Sequence, residues 1–225
     1  MDITTDQKRL IQSIVNVFET GRTGGDYGAV TRYADGPGGI RQVTYGRSQT
    51  TEYGKLRALL TAYVGAAGQY AAGLQPYIAR IGSQPLVDDA DFLRLLRDAG
   101  NDPVMRQTQD RFFDTHYYNP AIRWCSEDGF LDPLSALVVY DSFIHSGSVL
   151  KFLRNRFPEH VPAKGGRERV WVSEYVDTRH HWLATHSNPL LQKTIYRTRC
   201  FLAEIERNNW DLSVRPIDAN GIQVS

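Results

Sequence analysis

The chain has 225 residues, 41% of them hydrophobic, and a formal net charge of +1. That length supports one core, or two lobes sharing a helix. The charge excludes the strong basicity of a nucleic-acid binder and the strong acidity that suits a polycationic substrate, and no apolar run approaches the roughly 20 residues that span a membrane.

The opening Met1-Asp2-Ile3-Thr4-Thr5-Asp6 has no basic stretch followed by an apolar one, so no secretory signal is expected. Ile11, Ile14, Val15 and Phe18 then recur at i, i+3, i+4 and i+7, which predicts a helix from about Thr4 to Thr20 stopped by Gly21. From Gly21 to Tyr53 the character changes. Glycines alternate with the β-formers Val30, Thr31, Tyr33, Ile40, Val43, Thr44 and Tyr45 around the turn sequence Asp35-Gly36-Pro37-Gly38-Gly39. A small β-hairpin or meander is expected there. Helical patterning resumes over 54–72 and at 88–99, 103–127, 133–146, 167–186 and 189–208. Asp132-Pro133 opens the 133–146 helix as cap and first residue, and Leu134 to Tyr140 is apolar nearly all round, as in a buried central helix. There is no internal repeat or linker, so residues 1–225 read as a single domain, mainly α with a small β-hairpin. Cys125 and Cys200 lack metal-ligand spacing; the sequence leaves a disulfide between them open and favours two buried free thiols.

Two acidic residues carry the chemistry. Glu19 follows Phe18 at the edge of the first helix's apolar stripe. A carboxyl held against apolar side chains loses hydration and its pKa rises, as a general acid requires. The bland alternative, a solvated glutamate, is unfavourable at a helix C-terminus. Asp35 lies in the glycine-rich turn, where a carboxylate stays hydrated and ionised. Alone it is ordinary turn chemistry. Together the two supply what a glycosidase needs, one protonated and one charged carboxyl across a cleft.

These residues lie in segments that resemble a known family. Phe18-Glu19-Thr20-Gly21, Gly25-Asp26-Tyr27-Gly28-Ala29-Val30, Asp35-Gly36-Pro37-Gly38 and Thr44-Tyr45-Gly46-Arg47-Ser48-Gln49-Thr50-Thr51 are similar to the catalytic region of glycoside hydrolase family 46, the chitosanases of the lysozyme-like superfamily. Asn101 to Asp110, Tyr118-Asn119-Pro120-Ala121, Tyr140 to Gly147 and Tyr175-Val176-Asp177-Thr178-Arg179 resemble its later helices, in the same order. The resemblance implies a two-lobe fold and an inverting endo-glycosidase. Glu19 would protonate the leaving oxygen, Asp35 would activate a water, and Thr44 would hold that water. The two carboxyls would stand roughly 6.5–9.5 Å or more apart. It also implies that Asp141 and Arg179 form a buried ion pair behind the acid, with the Arg179 charge tuning Glu19. A further arginine of that network has two candidates, Lys193 and Arg197.

The chain departs from the family in two places. Ile40-Arg41-Gln42-Val43 lengthens the hairpin ahead of Thr44. The family's main sugar-binding aspartate falls near Lys55, with Glu52 the nearest acid. A lysine there, with a net charge near zero, points away from chitosan and toward peptidoglycan, whose lactyl groups and peptides carry carboxylates. The hairpin segments also resemble wall-degrading domains of type VI secretion spike proteins. That implies a muramidase-like toxin acting outside the cytoplasm, in the periplasm or cell wall of a target cell, with delivery by a secretion machine and a neutralising immunity protein as partner.

Candidate sugar contacts are Tyr27, Tyr33 and Tyr45 as stacking platforms, Arg47 as a carboxylate fork, Ser48, Glu52, Lys55, and His145 lining the cleft. Trp124, Trp171 and Trp182 sit at helical spacing and read as core. No HExxH, phosphate loop or Gly-x-Ser-x-Gly elbow appears, so neither metal nor cofactor is expected. The competing class is a non-catalytic carbohydrate-binding or interaction module on the same fold.

Overall fold

A computed structural model describes residues 1–225 with the exception of Ser48. Contacts divide the chain into two compact units: Met1–Thr23 with Thr115–Ser225, and Gly24–Asp114. Helix α1 (Thr5–Thr20) opens the first unit. Thr4 caps it in a capping box, with Gln7 N donating to Thr4 Oγ1 at 3.2 Å and Thr4 N to Gln7 Oε1 at 3.0 Å. It ends at Gly21, whose φ of 68° is left-handed and whose N–H reaches Val17 O, the stop that the sequence predicts.

The second unit carries the predicted meander. Among the described residues, β1 (Val30–Tyr33), β2 (Gln42–Tyr45) and β3 (Thr50–Thr51) form an antiparallel sheet in that order, with Val30 opposite Tyr45 and Tyr33 opposite Gln42. All four residues of β2 are buried, as befits a central strand. The expected turn at 35–39 closes through a 3-10 segment, Pro37–Gly39.

The predicted helix over 54–72 is shorter. Helix α2 (Leu56–Gly65) stops, and α3 (Ala71–Leu74) is separate. Two features break the run. A Cβ on Gly68 would lie 2.1 Å from the Tyr63 ring, so the backbone turns against that ring. Asp102 Oδ2 then accepts from Tyr63 OH at 2.6 Å and from Gln69 N at 2.8 Å. The other oxygen of Asp102 caps α5 (Pro103–Phe113), which follows α4 (Ala90–Ala99).

The predicted helix over 103–127 is also divided. A π-turn, Asp114–Tyr118, separates α5 from α6 (Asn119–Glu127). Pro120 near the start of α6 has no N–H for the carbonyl four residues back, so a regular α-ladder cannot run through. Helix α7 (Pro133–Ser146) is buried from Pro133 through Ser142. It packs against α1, α6, α9 (Glu168–Ala184) and α11 (Tyr196–Glu206), with short turns α8 (Lys151–Arg154) and α10 (Pro189–Gln192) between them. It is the buried central helix of this unit. The pattern over 189–208 resolves into α10, a 3-10 turn at Lys193–Ile195, and α11. The Thr194 hydroxyl donates to Leu191 O there, in competition with the helical ladder.

The sequence pattern assigns no element beyond 208. The chain ends in a hairpin, β4 (Ile217–Ala219) and β5 (Ile222–Val224), closed by Asn220 and Gly221, both at positive φ. Cys125 and Cys200 are buried free thiols, and burial pushes both thiol pKa values up. Trp171 is fully buried, with Trp124 and Trp182 packed against the same core. Among the described residues no helix is long and apolar enough to cross a membrane.

Gly100 shows how tight the second unit is. Its backbone is right-handed, with φ of −60°, yet a Cβ there would lie 2.3 Å from Gly28 Cα. Gly100→Ala is therefore expected to cost about 1–3 kcal/mol through overpacking, read as a lower urea midpoint with an unchanged slope.

Candidate active site

The candidate residues fall into two groups, one in each unit. In the first unit, Glu19 sits on the last turn of α1 with its side chain 8% exposed. Arg197 Nη2 donates to Glu19 Oε1. Arg197 Nη1 donates to Asp141 Oδ1 at 2.6 Å, and Arg179 Nη1 stands 2.7 Å from Asp141 Oδ2. The result is a buried chain of alternating charge: Glu19, Arg197, Asp141, Arg179.

Each member comes from a different helix and lies on its buried face. On α11, Arg197, Cys200, Phe201 and Glu204 are buried at i, i+3, i+4 and i+7. On α9, Val172, Tyr175, Val176, Arg179 and Leu183 follow the same rule. The rings of Phe18 and Tyr196 flank the Arg197 guanidinium at 5.5 and 5.7 Å. Tyr196 OH also donates to Phe18 O at 2.7 Å, which ties α11 to the end of α1. Burial alone would raise the Asp141 pKa. Arg197 and Arg179 more than offset it and hold the carboxyl below its ordinary range. Burial would likewise lower the Arg197 pKa, but Glu19 and Asp141 raise it, so this guanidinium keeps its charge.

Arg197, which the sequence leaves level with Lys193, is thus the cation at Glu19. Arg179 forms the expected pair with Asp141 and is linked to Glu19 through Asp141 and Arg197. His145 lies one turn beyond Asp141 on α7. Burial first, then the charges of Arg197 and Arg179, lower its pKa to about 3, so the ring is neutral at physiological pH. Tyr117, which the sequence pattern does not single out, has its pKa raised to about 12 by burial and by the charge of Glu19.

In the second unit Asp35 is exposed, with Gln42 Nε2 donating to its Oδ1 at 3.0 Å. Thr44 is 5% exposed, and its Oγ1 meets no hydrogen-bond partner among the described residues. Tyr33 is 51% exposed beside the turn, so it remains open to a sugar face. Tyr27 is half-buried and donates to Asp110 Oδ1 at 2.8 Å, and burial and that carboxylate raise its pKa to about 12.

Three expected sugar contacts are instead internal. Tyr45 is fully buried in β2. Arg47 is 3% exposed, with Nε 2.9 Å from Asp110 Oδ1 and the guanidinium over the Phe113 ring at 5.1 Å. Glu52 is 1% exposed, and its two oxygens accept from Val43 N at 3.0 Å and Leu86 N at 2.9 Å. These side chains satisfy the backbone and core of the hairpin, a demand that spacing does not reveal. Lys55 is exposed at the start of α2. Ser48 lies outside the described residues.

Two outcomes follow from the charge chain. Asp141→Ala leaves two buried guanidiniums without their shared carboxylate and is expected to cost about 3–5 kcal/mol by urea denaturation. Folding lowers the His145 pKa, so its neutral ring contributes stability in full above about pH 6.5, lost as pH falls toward about 3. His145→Phe is expected to flatten the acid side of a stability-versus-pH curve over that window.

The glycosyl hydrolase family 46 model matches residues 13–217. A chitosanase of Bacillus subtilis (strain 168) is 25% identical over 228 residues, covering 94% of this chain and 81% of that protein. The solved native chitosanase of Bacillus subtilis MY002 aligns at a TM-score of 0.83 with 24% identity, covering 100% of both chains. A mutant of the MY002 enzyme in complex with 6 GlcN gives 0.84 at 23% identity, again over 100% of both chains. The family 46 chitosanase of Gynuella sunshinyii in complex with chitotetraose gives 0.81 at 22% identity, over 99% of this chain and 98% of that one. These structural likenesses fix the fold.

Proposed function

The chain belongs to glycosyl hydrolase family 46 and is a glycoside hydrolase, and from that premise we propose that it cuts internal β-1,4 bonds of chitosan with inversion at the anomeric carbon. The observation that carries this reading is the buried chain behind Glu19, which aims a guanidinium at one carboxyl. Glu19 is the general acid. It protonates the glycosidic oxygen as the bond to the anomeric carbon breaks. Arg197 Nη2, which donates to Glu19 Oε1 in this structure, stabilises the carboxylate left behind, and Glu19 takes up a proton again before the next turnover. Asp35 is the base. It takes a proton from the water that attacks the opposite face of the sugar. The buried, unpartnered hydroxyl of Thr44 supports a water-holding role, because such groups are ordinarily satisfied by ordered water. We read residues 1–225 as one catalytic domain, supported by a family match that includes most of both units.

Chitosan is the substrate to which the relatives' names and complexes point. One observation favours peptidoglycan as a second reading. Glu52, the nearest acid to the position of the family's sugar-binding aspartate, is buried on backbone amides, and Lys55 is exposed beside it. The Glu52 carboxylate is taken up by backbone amides and Lys55 is a cation, so neither residue offers a glucosamine ammonium an open carboxylate. Action in a target cell's periplasm or wall, delivery by a secretion machine and an immunity protein belong to this second reading.

Mass spectrometry of products from chitosan and from purified peptidoglycan, run side by side, decides between the two. Glucosamine oligomers from chitosan support the first reading; muropeptide fragments alone overturn it. Proton NMR at early times is expected to show α-anomeric products from the β-linked chain, and β-anomers would exclude the water mechanism. Asp35→Asn is expected to lose several orders of magnitude in hydrolysis while keeping its melting temperature.

A further inference from the structure

Gln42, the first residue of β2, is 4% exposed, and both ends of its amide are engaged. Tyr53 N donates to Gln42 Oε1 at 3.2 Å, and Gln42 Nε2 donates to Asp35 Oδ1 at 3.0 Å. The first contact fixes the orientation of the second. A backbone N–H can only donate, so the amide oxygen must face Tyr53 and the NH₂ group must face Asp35.

The backbone under this amide is held from both directions. Glu52 N donates to Val43 O at 2.8 Å, and Val43 N donates to Glu52 Oε2 at 3.0 Å. The other Glu52 oxygen accepts from Leu86 N, so the strand start is tied to a second segment. Gly36 completes the fit. A Cβ there would lie 2.7 Å from Ile40 O and 3.5 Å from Gln42 Cδ, so glycine lets the turn that carries Asp35 close over the amide.

Asp35 itself is exposed on a turn rich in glycine, a poor platform for a group that must be placed within a fraction of an ångström. We propose that Gln42 is the positioning residue for Asp35, holding Oδ1 by a donated hydrogen bond and leaving Oδ2 to take the proton from water. The residues that lengthen the hairpin, Ile40 to Val43, thereby supply the support that the turn lacks. The inference rests on the reading of Asp35 as the base.

Two substitutions separate this role from a merely structural one. In Gln42→Glu one oxygen still accepts from Tyr53 N, but the other meets Asp35 as a second carboxylate, and rates are followed from about pH 5 to about pH 8 so that a proton shared between the two is seen as recovery on the acid side. Gln42→Met fills the same space with no polar end. Rates are measured on soluble chitosan, or on purified peptidoglycan if the wild type cuts that instead. Both variants are expected to lose about tenfold to a hundredfold in kcat, the scale of a misplaced catalytic group. KM is expected to stay within about twofold, as for an interaction made in the transition state. A second carboxyl against Asp35 is expected to lower the melting temperature of Gln42→Glu, so rates are read at a temperature where circular dichroism shows the variant folded, and either folded variant decides alone. Wild-type kcat in folded Gln42→Glu, or a loss confined to KM, overturns the proposal. Asp35→Asn is run in parallel. Wild-type kcat in that variant would remove the base assignment itself, a failure distinct from that of Gln42.

Discussion

One guanidinium, that of Arg197, is shared between two carboxyls in the interior of the first unit, and the placement of Glu19 depends on it. Two unit charges 4 Å apart gain about 4 kcal/mol at the effective dielectric of a protein. Removing each ion from water costs several kcal/mol, so such pairs do little better than break even. The chain of charges is therefore better understood as a positioning device than as a source of stability. It is satisfied only when α1, α7, α9 and α11 are all in register, since each supplies one member. Asp141 matters because it divides the charge of Arg197, and Arg179 matters because it helps keep the fully buried Asp141 ionised.

The carboxyl in the second unit is built in the opposite way. Asp35 stands in solvent on a glycine turn. Its support is a neutral amide fixed at its far end by a backbone N–H. Glu19 has a charged partner and a buried setting; Asp35 has a neutral partner and stands in solvent. On the proposed reading, that difference in environment separates the two roles.

Much of this is legible in the sequence. The long periodic helices, the capping of α1 and its glycine stop, the buried α7 and the glycine-rich meander all follow from local pattern. So do the settings of Glu19 and Asp35, because a carboxyl at the edge of an apolar stripe and a carboxyl in a turn are local facts. Helix interruptions are not legible where a tertiary contact sets them, as the Tyr63 ring and Asp102 do after α2. Arg197 could be preferred to Lys193 from the pattern, for it shares the buried stripe of Cys200, Phe201 and Glu204. The Asn220-Gly221 pair likewise signals the final hairpin. The true roles of Arg47, Glu52 and Gln42 have no signal. Polar side chains spent on backbone amides or internal carboxylates look, in a sequence, like side chains available to a substrate.

The central claim is that Glu19 delivers a proton to the leaving oxygen. Its most direct test compares Glu19→Gln on two substrates of one sugar chain, the natural polymer linkage and an oligosaccharyl fluoride or dinitrophenyl glycoside whose leaving group needs no proton. A loss of several orders of magnitude is predicted on the polymer, with a rate near that of the wild type on the activated substrate. An equal loss on both would contradict the claim, and would leave Glu19 as a structural partner of Arg197.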